Sequence, residues 1–211
     1  RVNIAEWVKI KLSEYYPNND FSLAKEEQVG PKIGNELKEQ AVMAVVLSLL
    51  GIMIYLGIRF KFNFSVAAVI ALAHDVIITL GLFSLLYGLF DALNLEISTS
   101  VVAGFLTLVG YSINDTVVVF DRVRENLKIH KTADLKDNFN AAINRTMSRT
   151  IITDLTTLLA VFILLIMGGD ILRGFSFCMF AGIIIGTYSS VFVASAFVVE
   201  YLLKSKKKVV F

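Results

Sequence analysis

The feature that most constrains this chain is a set of five apolar runs, at about 40–58, 64–90, 97–120, 150–168 and 174–203. A helix needs about 20 such residues, rising 1.5 Å each, to cross about 30 Å of hydrocarbon, and each run is near or above that length. Composition agrees, with 56% of residues hydrophobic and 18% charged, where a soluble domain carries about 45–50% and about 25%. The expectation is an all-α integral membrane protein with five transmembrane helices. None of the runs contains proline, so any kink has to come from glycine or a polar insertion.

Lysine and arginine are absent from 39–58, 62–121, 150–172 and 174–203. They gather at Arg59 and Lys61, in the 122–149 link with seven of them, and at Lys204, Lys206, Lys207 and Lys208. The positive-inside bias then places the first link, the 121–149 link and the C-terminus in the cytoplasm, and residues 1–38 outside. Residues 39–203 form the transmembrane domain, and 204–211 a basic cytoplasmic tail that anchors to lipid headgroups. Phe139, Ala142, Ile143 and Met147 repeat at helical spacing, predicting an amphipathic helix over 137–149 on the cytoplasmic face, leading into the fourth span.

Residues 1–38 are the polar part. Apolar spacing predicts a short helix from Val2 to Tyr16, Pro17-Asn18-Asn19-Asp20 a turn, and Phe21 to Val29 a strand ended by Gly30-Pro31. One helix and one strand bury too little surface to stand alone, so this reads as the C-terminal remnant of an extracytoplasmic α+β domain. The chain opens on Arg1 without a secretory signal pattern. It reads as a fragment, with a preceding transmembrane helix making six in the whole protein.

Several chemistries lack their residues. One cysteine, Cys178, excludes an internal disulfide and a cysteine metal site, and His74 and His130 have no ligand spacing. There is no phosphate-binding loop, no Ser-His-Asp set and no HExxH, so no enzyme, cofactor, metal or nucleic-acid role is expected.

The informative residues are polar ones inside the apolar runs. Asp115 ends the third run, and an aspartate near a bilayer centre costs about 2.5–3.5 kcal/mol, which makes it a functional candidate by default. Gly104, Thr107, Tyr111, Asn114 and Asp115 recur every three or four residues, on one helical face. Arg149 opens the fourth run, followed by Thr153, Thr156 and Thr157, and comes within reach of Asp115 from the same side. His74 and Asp75 sit near the middle of the second run. Asp154 falls one turn inside the fourth, where it serves to hydrate the helix mouth. Gly182 and Gly186 form a small-xxx-small pair for close helix packing. Desolvation and a nearby cation pull a carboxyl's proton affinity in opposite directions. The residues alone leave three readings of Asp115: a proton relay switched by Arg149, a static interhelical tie, or a carboxylate facing a wet vestibule.

Five stretches resemble the SecF family of the bacterial protein-export machinery: Val29-Gly30-Pro31-Lys32-Ile33-Gly34, Ala73-His74-Asp75-Val76, Gly110 through Asn126, Asn144 through Thr150, and Gly168-Gly169 through Gly174-Phe175-Ser176. The Asn114-Asp115 form of the third stretch is similar to SecF rather than its paralogue SecD. The resemblance implies helix packing of the resistance-nodulation-division superfamily and a place in the bacterial cytoplasmic membrane. Its implied partners are SecD, the SecYEG channel, YajC and unfolded preproteins, with the ATPase SecA in the same pathway. The implied task is proton-driven assistance to preprotein translocation. By motif position Asp115 is the proton-pathway aspartate and Arg149 its arginine; Asn114 and Asp75 join the pathway, and Thr107, Tyr111, His74 and Thr153 line it. A small-molecule or lipid exporter of the same superfamily, and a purely structural subunit, are the competing expectations.

Overall fold

A computed structural model describes residues 4–21, 31–60, 62–89, 95–130 and 134–205. The chain divides into two compact units, Arg1–Gln40 and Ala41–Phe211. In the first, α1 (Ile4–Tyr15) ends in the expected turn, where the Tyr16 N–H donates to the Leu12 carbonyl at 2.9 Å and the Asn19 N–H to the Tyr16 carbonyl at 3.1 Å. Trp7, Val8, Ile10, Leu12 and Tyr15 of α1 are all exposed. The predicted strand lies outside the described residues apart from Phe21, which has no regular structure, and no strand occurs among the described residues.

The helix α2 (Pro31–Arg59) leads into the second unit, which continues with α3 (Phe62–Leu86), α4 (Thr99–Ile129), α5 (Leu135–Met167) and α6 (Gly169–Ser189). A π-helical turn (Ser190–Ala194) joins α6 directly to α7 (Ser195–Ser205), so these form one continuous rod. Five stretches are long and apolar enough to cross a membrane: Gly34–Arg59, Phe62–Leu86, Thr99–Ile129, Leu135–Met167 and Gly169–Lys204. Their outer faces carry exposed Leu, Ile, Val and Phe, as expected where the surroundings are as apolar as the side chains.

The helices outrun their apolar runs. The second helix starts nine residues earlier than expected, at Pro31, where proline suits a first helical position. At 31 and 33 residues, α4 and α5 reach about 47 and 50 Å, well beyond a 30 Å hydrocarbon layer. Their extra turns fill most of the basic 122–149 link. The surface helix predicted over 137–149 is therefore corrected: it is the first part of α5, with neither glycine nor proline to separate it. Its stripe of Phe139 and Ala142 packs on Val119, Phe120 and Val123 of α4 and Val198 and Leu202 of α7, with Ile143 beside them. Buried Asn126 ties the two ends, its Nδ2 donating to the Asn138 carbonyl at 3.3 Å.

Packing centres on α6, which touches α3, α4 and α5. Small residues permit this. A Cβ on Gly182 would overlap the Leu108 side chain, and one on Gly186 would stand 3.0 Å from Ser112 Oγ. The α5–α6 turn requires Gly169 at φ +68°, a conformation costly to other residues. The π turn answers the absence of proline. Ser190 and Ser195 hydroxyls donate to the Thr187 and Ser190 carbonyls at 3.0 and 3.1 Å, occupying backbone acceptors around the widened turn.

Candidate functional site

Two polar centres interrupt the apolar bundle, one on each side of the α4–α6 contact. The first joins α4, α5 and α6. Asp154, 3% exposed, has both carboxyl oxygens engaged: Tyr111 Oη donates to Oδ1 at 3.0 Å and Thr187 Oγ1 to Oδ2 at 2.5 Å. Tyr111 Oη also lies 3.0 Å from Thr157 Oγ1 and 3.4 Å from the Thr153 carbonyl. One turn on from Tyr111 along α4, Asp115 is 6% exposed. Arg149 and Asp115 form no ion pair among the described residues.

The second centre joins α3, α4 and α6. Asp75, 1% exposed, accepts from Ser112 Oγ at 2.6 Å and lies 3.1 Å from His74 Nδ1. Gly186 leaves space for its donor, since a Cβ there would stand 3.0 Å from Ser112 Oγ, while meeting Asp75 Oδ2 at an ordinary 3.6 Å.

The polar stripe read along α4 is divided in the fold. Tyr111 and Asp115 turn inward with Gly104, whereas Thr107 and Asn114 are exposed, as are Arg149 and Thr153 on α5. Asp154, expected only to hydrate a helix mouth, is instead central to the first centre. It continues the inward stripe Phe139, Ala142, Thr146 and Thr150 at helical spacing, a signal the sequence carried. Ser112 and Thr187 were missed as well. Each stands among other polar residues, and of these only Tyr111, Asn114 and Asp115 beside Ser112, and the small Gly186 beside Thr187, drew notice.

At one end of the bundle, Arg59 meets Asp121 at 3.8 Å, Arg124 Nη1 donates to the Arg59 carbonyl at 3.4 Å, and Arg145 Nη1 to Asn126 Oδ1 at 3.4 Å. The first link and the 122–149 region thus share one end. A cavity of about 330 Å³ opens there, walled by Arg59, Arg122, Arg145 and Arg149 with Asp121 and Glu125.

Residues 8–204 match the family described as "Protein export membrane protein SecD/SecF, C-terminal". The chain belongs to the SecD/SecF family. It is 52% identical over 189 residues to the protein translocase subunit SecF of Rhodothermus marinus, covering 90% of this chain and 61% of that one. Against the SecDF subunit of Thermus thermophilus the identity is 48% over 182 residues, covering 86% of this chain and 24% of the relative. A crystal structure of SecDF in a super-membrane-facing form superposes with a TM-score of 0.74 at 38% identity, over 95% of this chain and 27% of the other. The fold is therefore that of the matched part of SecDF. The chain spans about three-fifths of the length of the Rhodothermus marinus relative.

Proposed function

We propose that this chain is the SecF half of a proton-driven accessory to protein export. With SecD it uses the proton-motive force to assist SecYEG- and SecA-dependent translocation of preproteins across the bacterial cytoplasmic membrane. The observation that carries this reading is two buried carboxyls, Asp115 and Asp154, the latter held by the Tyr111 and Thr187 hydroxyls, in a bundle of the SecD/SecF family. Buried acids inside a membrane bundle are costly and mark ion pathways. Asp115 is the proton carrier, and Arg149 is the cation whose distance governs how readily it ionises. The arginine-walled cavity beside Arg149 gives that end of the path a hydrated mouth. Tyr111 and Thr153 line the route, and Asp75 with His74 forms a second polar station across α6.

Exposed Asn114 and Arg149 are costly against lipid, and SecD is the surface that covers them, with Thr107 and Thr153 at its edge. A relative with SecD and SecF in one chain supports that partner. SecYEG, SecA, YajC and unfolded preproteins enter through the same reading, with transport rather than bond chemistry as the task. The basic end faces the cytoplasm, residues 1–38 belong to the outer domain, and 204–211 form the cytoplasmic tail.

Asp115→Asn tests the reading. It is expected to abolish proton-dependent export while leaving membrane insertion and SecD binding intact. Unchanged export in that variant would remove Asp115 from the role.

A further inference from the structure

Four arginines wall the cavity of about 330 Å³ at the basic end of the bundle: Arg59 from α2, Arg122 from α4, and Arg145 and Arg149 from α5. Two carboxyls, Asp121 and Glu125, share the wall and leave a surplus of two positive charges. The pairing among them is uneven. Arg122 pairs closely with Glu125, three residues on in its own helix, whereas Arg59 meets Asp121 only at 3.8 Å. Arg145 reaches no carboxylate among the described residues. Its Nη1 donates to the neutral Asn126 amide oxygen at 3.4 Å, long beside the about 2.7–2.9 Å of a guanidinium on an anion. Arg149 follows one turn later on the same exposed face of α5, a like-charge repulsion that an anion beside Arg145 would relieve.

Depth and lining decide which anion fits. Arg149 stands at the edge of the fourth apolar run and Arg145 about 6 Å outside it, where hydrocarbon gives way to headgroups. The cavity's apolar wall is formed by partly buried Val117 and Val118 of α4. Deeper along α5, Ile152, Leu159 and Ile163 continue the face of Arg145 and Arg149, each more than half exposed, as a track for an acyl chain. The volume is at the low end of the about 300–1,000 Å³ of small-ligand sites, which suits a headgroup. We infer that this cavity seats the phosphate of an anionic phospholipid, with Arg145 as its principal donor, Arg59 and Arg122 beside it, and an acyl chain along α5. Guanidinium forks match phosphate oxygens bidentately, and basic pockets between membrane helices hold such headgroups. A free phosphate offers the same oxygens but makes no use of the valine wall or the apolar face of α5. Arg149, one turn deeper, keeps the task proposed for it above, and a hydrated headgroup leaves the mouth of the path wet. The inference goes beyond the export reading and needs only that the bundle spans a membrane.

The test is native mass spectrometry of the full-length protein purified with SecD, titrated with phosphatidylglycerol, cardiolipin or phosphatidylcholine of the same acyl composition. The two anionic lipids are expected to bind about tenfold more tightly than phosphatidylcholine. Arg145→Gln should weaken their binding about tenfold, the loss of one charge-assisted hydrogen bond. Arg173→Gln removes the same charge at the other end of α5 and α6, beside Asp170, and should leave binding unchanged. Equal binding of anionic and zwitterionic lipid, or wild-type binding by Arg145→Gln, would overturn the site. Displacement of phosphatidylglycerol by inorganic phosphate at equal concentration would overturn the lipid assignment in favour of free phosphate. If Arg145→Gln is not recovered folded, the selectivity of the wild type and the binding of Arg122→Gln decide on the same terms. Neither export nor proton flux enters the readout. Loss of the lipid site with export intact leaves the export reading standing, whereas lipid binding without proton-dependent export condemns that reading alone.

Discussion

Gly182→Ala is the sharpest test of how the bundle positions its acids. A Cβ at Gly182 would overlap both Leu108 methyls and stand 2.9 Å from Leu108 Cγ. Leu108 cannot swing aside, because it is fully buried among Val161, Met179 and Ile183. Overpacking of this kind costs about 1–3 kcal/mol. Alanine also recovers about 0.5–1 kcal/mol of helix propensity relative to glycine. Taking the middle of each range, the net loss is about 1 kcal/mol, or about 2–4 °C in melting temperature at about 2–4 °C per kcal/mol. Cys178 is the chain's one cysteine and is fully buried, so a thiol-reactive fluorophore reports unfolding in detergent directly. Gly81→Ala is the control, since nothing lies within 4 Å of its added methyl, and it should hold or raise the melting temperature. Leu108→Ala alone should cost about 2–5 kcal/mol, and combining it with Gly182→Ala should cost less than the two losses added. Equal melting of Gly182→Ala and Gly81→Ala would refute the close approach of α4 and α6.

Three further outcomes follow from individual contacts. Ser112→Ala removes the 2.6 Å donor to buried Asp75 and should cost about 1–3 kcal/mol in the same melting assay, with no loss pointing to a replacement donor. Tyr111→Phe removes the hydroxyl between Asp154 and Thr157; it should lower stability by about 0.5–1.5 kcal/mol and slow proton flux in SecD–SecF liposomes, and an unchanged flux would take Tyr111 off the path. Gly168→Ala should destabilise more than Gly169→Ala: its Cβ would overlap the Leu164 backbone carbonyl, which cannot move, whereas Gly169 pays only for its positive φ, and the reverse order of melting temperatures would refute that account of the turn.

The spans were legible because apolar length and charge asymmetry are local properties. The helix ends were not: nothing in α4 or α5 stops a helix where hydrocarbon stops, so both ran on through the charged link. Asp115 stood out as one carboxylate before a charged segment. The contacts of Asp154 with Tyr111 and Thr187 could not be read from its own helix, because they depend on how α5 rotates against α4 and α6. The reading that grouped Arg149, Thr153, Thr156 and Thr157 on one face chose the exposed side for most of them, and Asp154 lies about 100° away in the helical wheel. The inward stripe from Phe139 to Val161 shows that phase once the helix is known to be continuous from Leu135.

Gly182 and Gly186 were read as packing residues, and the fold explains what that packing is for. Gly186 admits Ser112, the donor to Asp75, to one side of α6, while the next residue, Thr187, reaches Asp154 on the other. On α4 the adjacent pair Tyr111 and Ser112 does the same, each serving a different acid. Successive residues of a helix point about 100° apart, so neither helix can rotate or slide to favour one acid without disturbing its contact with the other. The π turn begins three residues beyond Thr187, the place in this rod where the backbone ladder is already irregular. A change of register there would act on Thr187 and Gly186 together. The two polar centres are thus mechanically joined through one pair of helices, although no hydrogen bond among the described residues runs directly between Asp75 and Asp154.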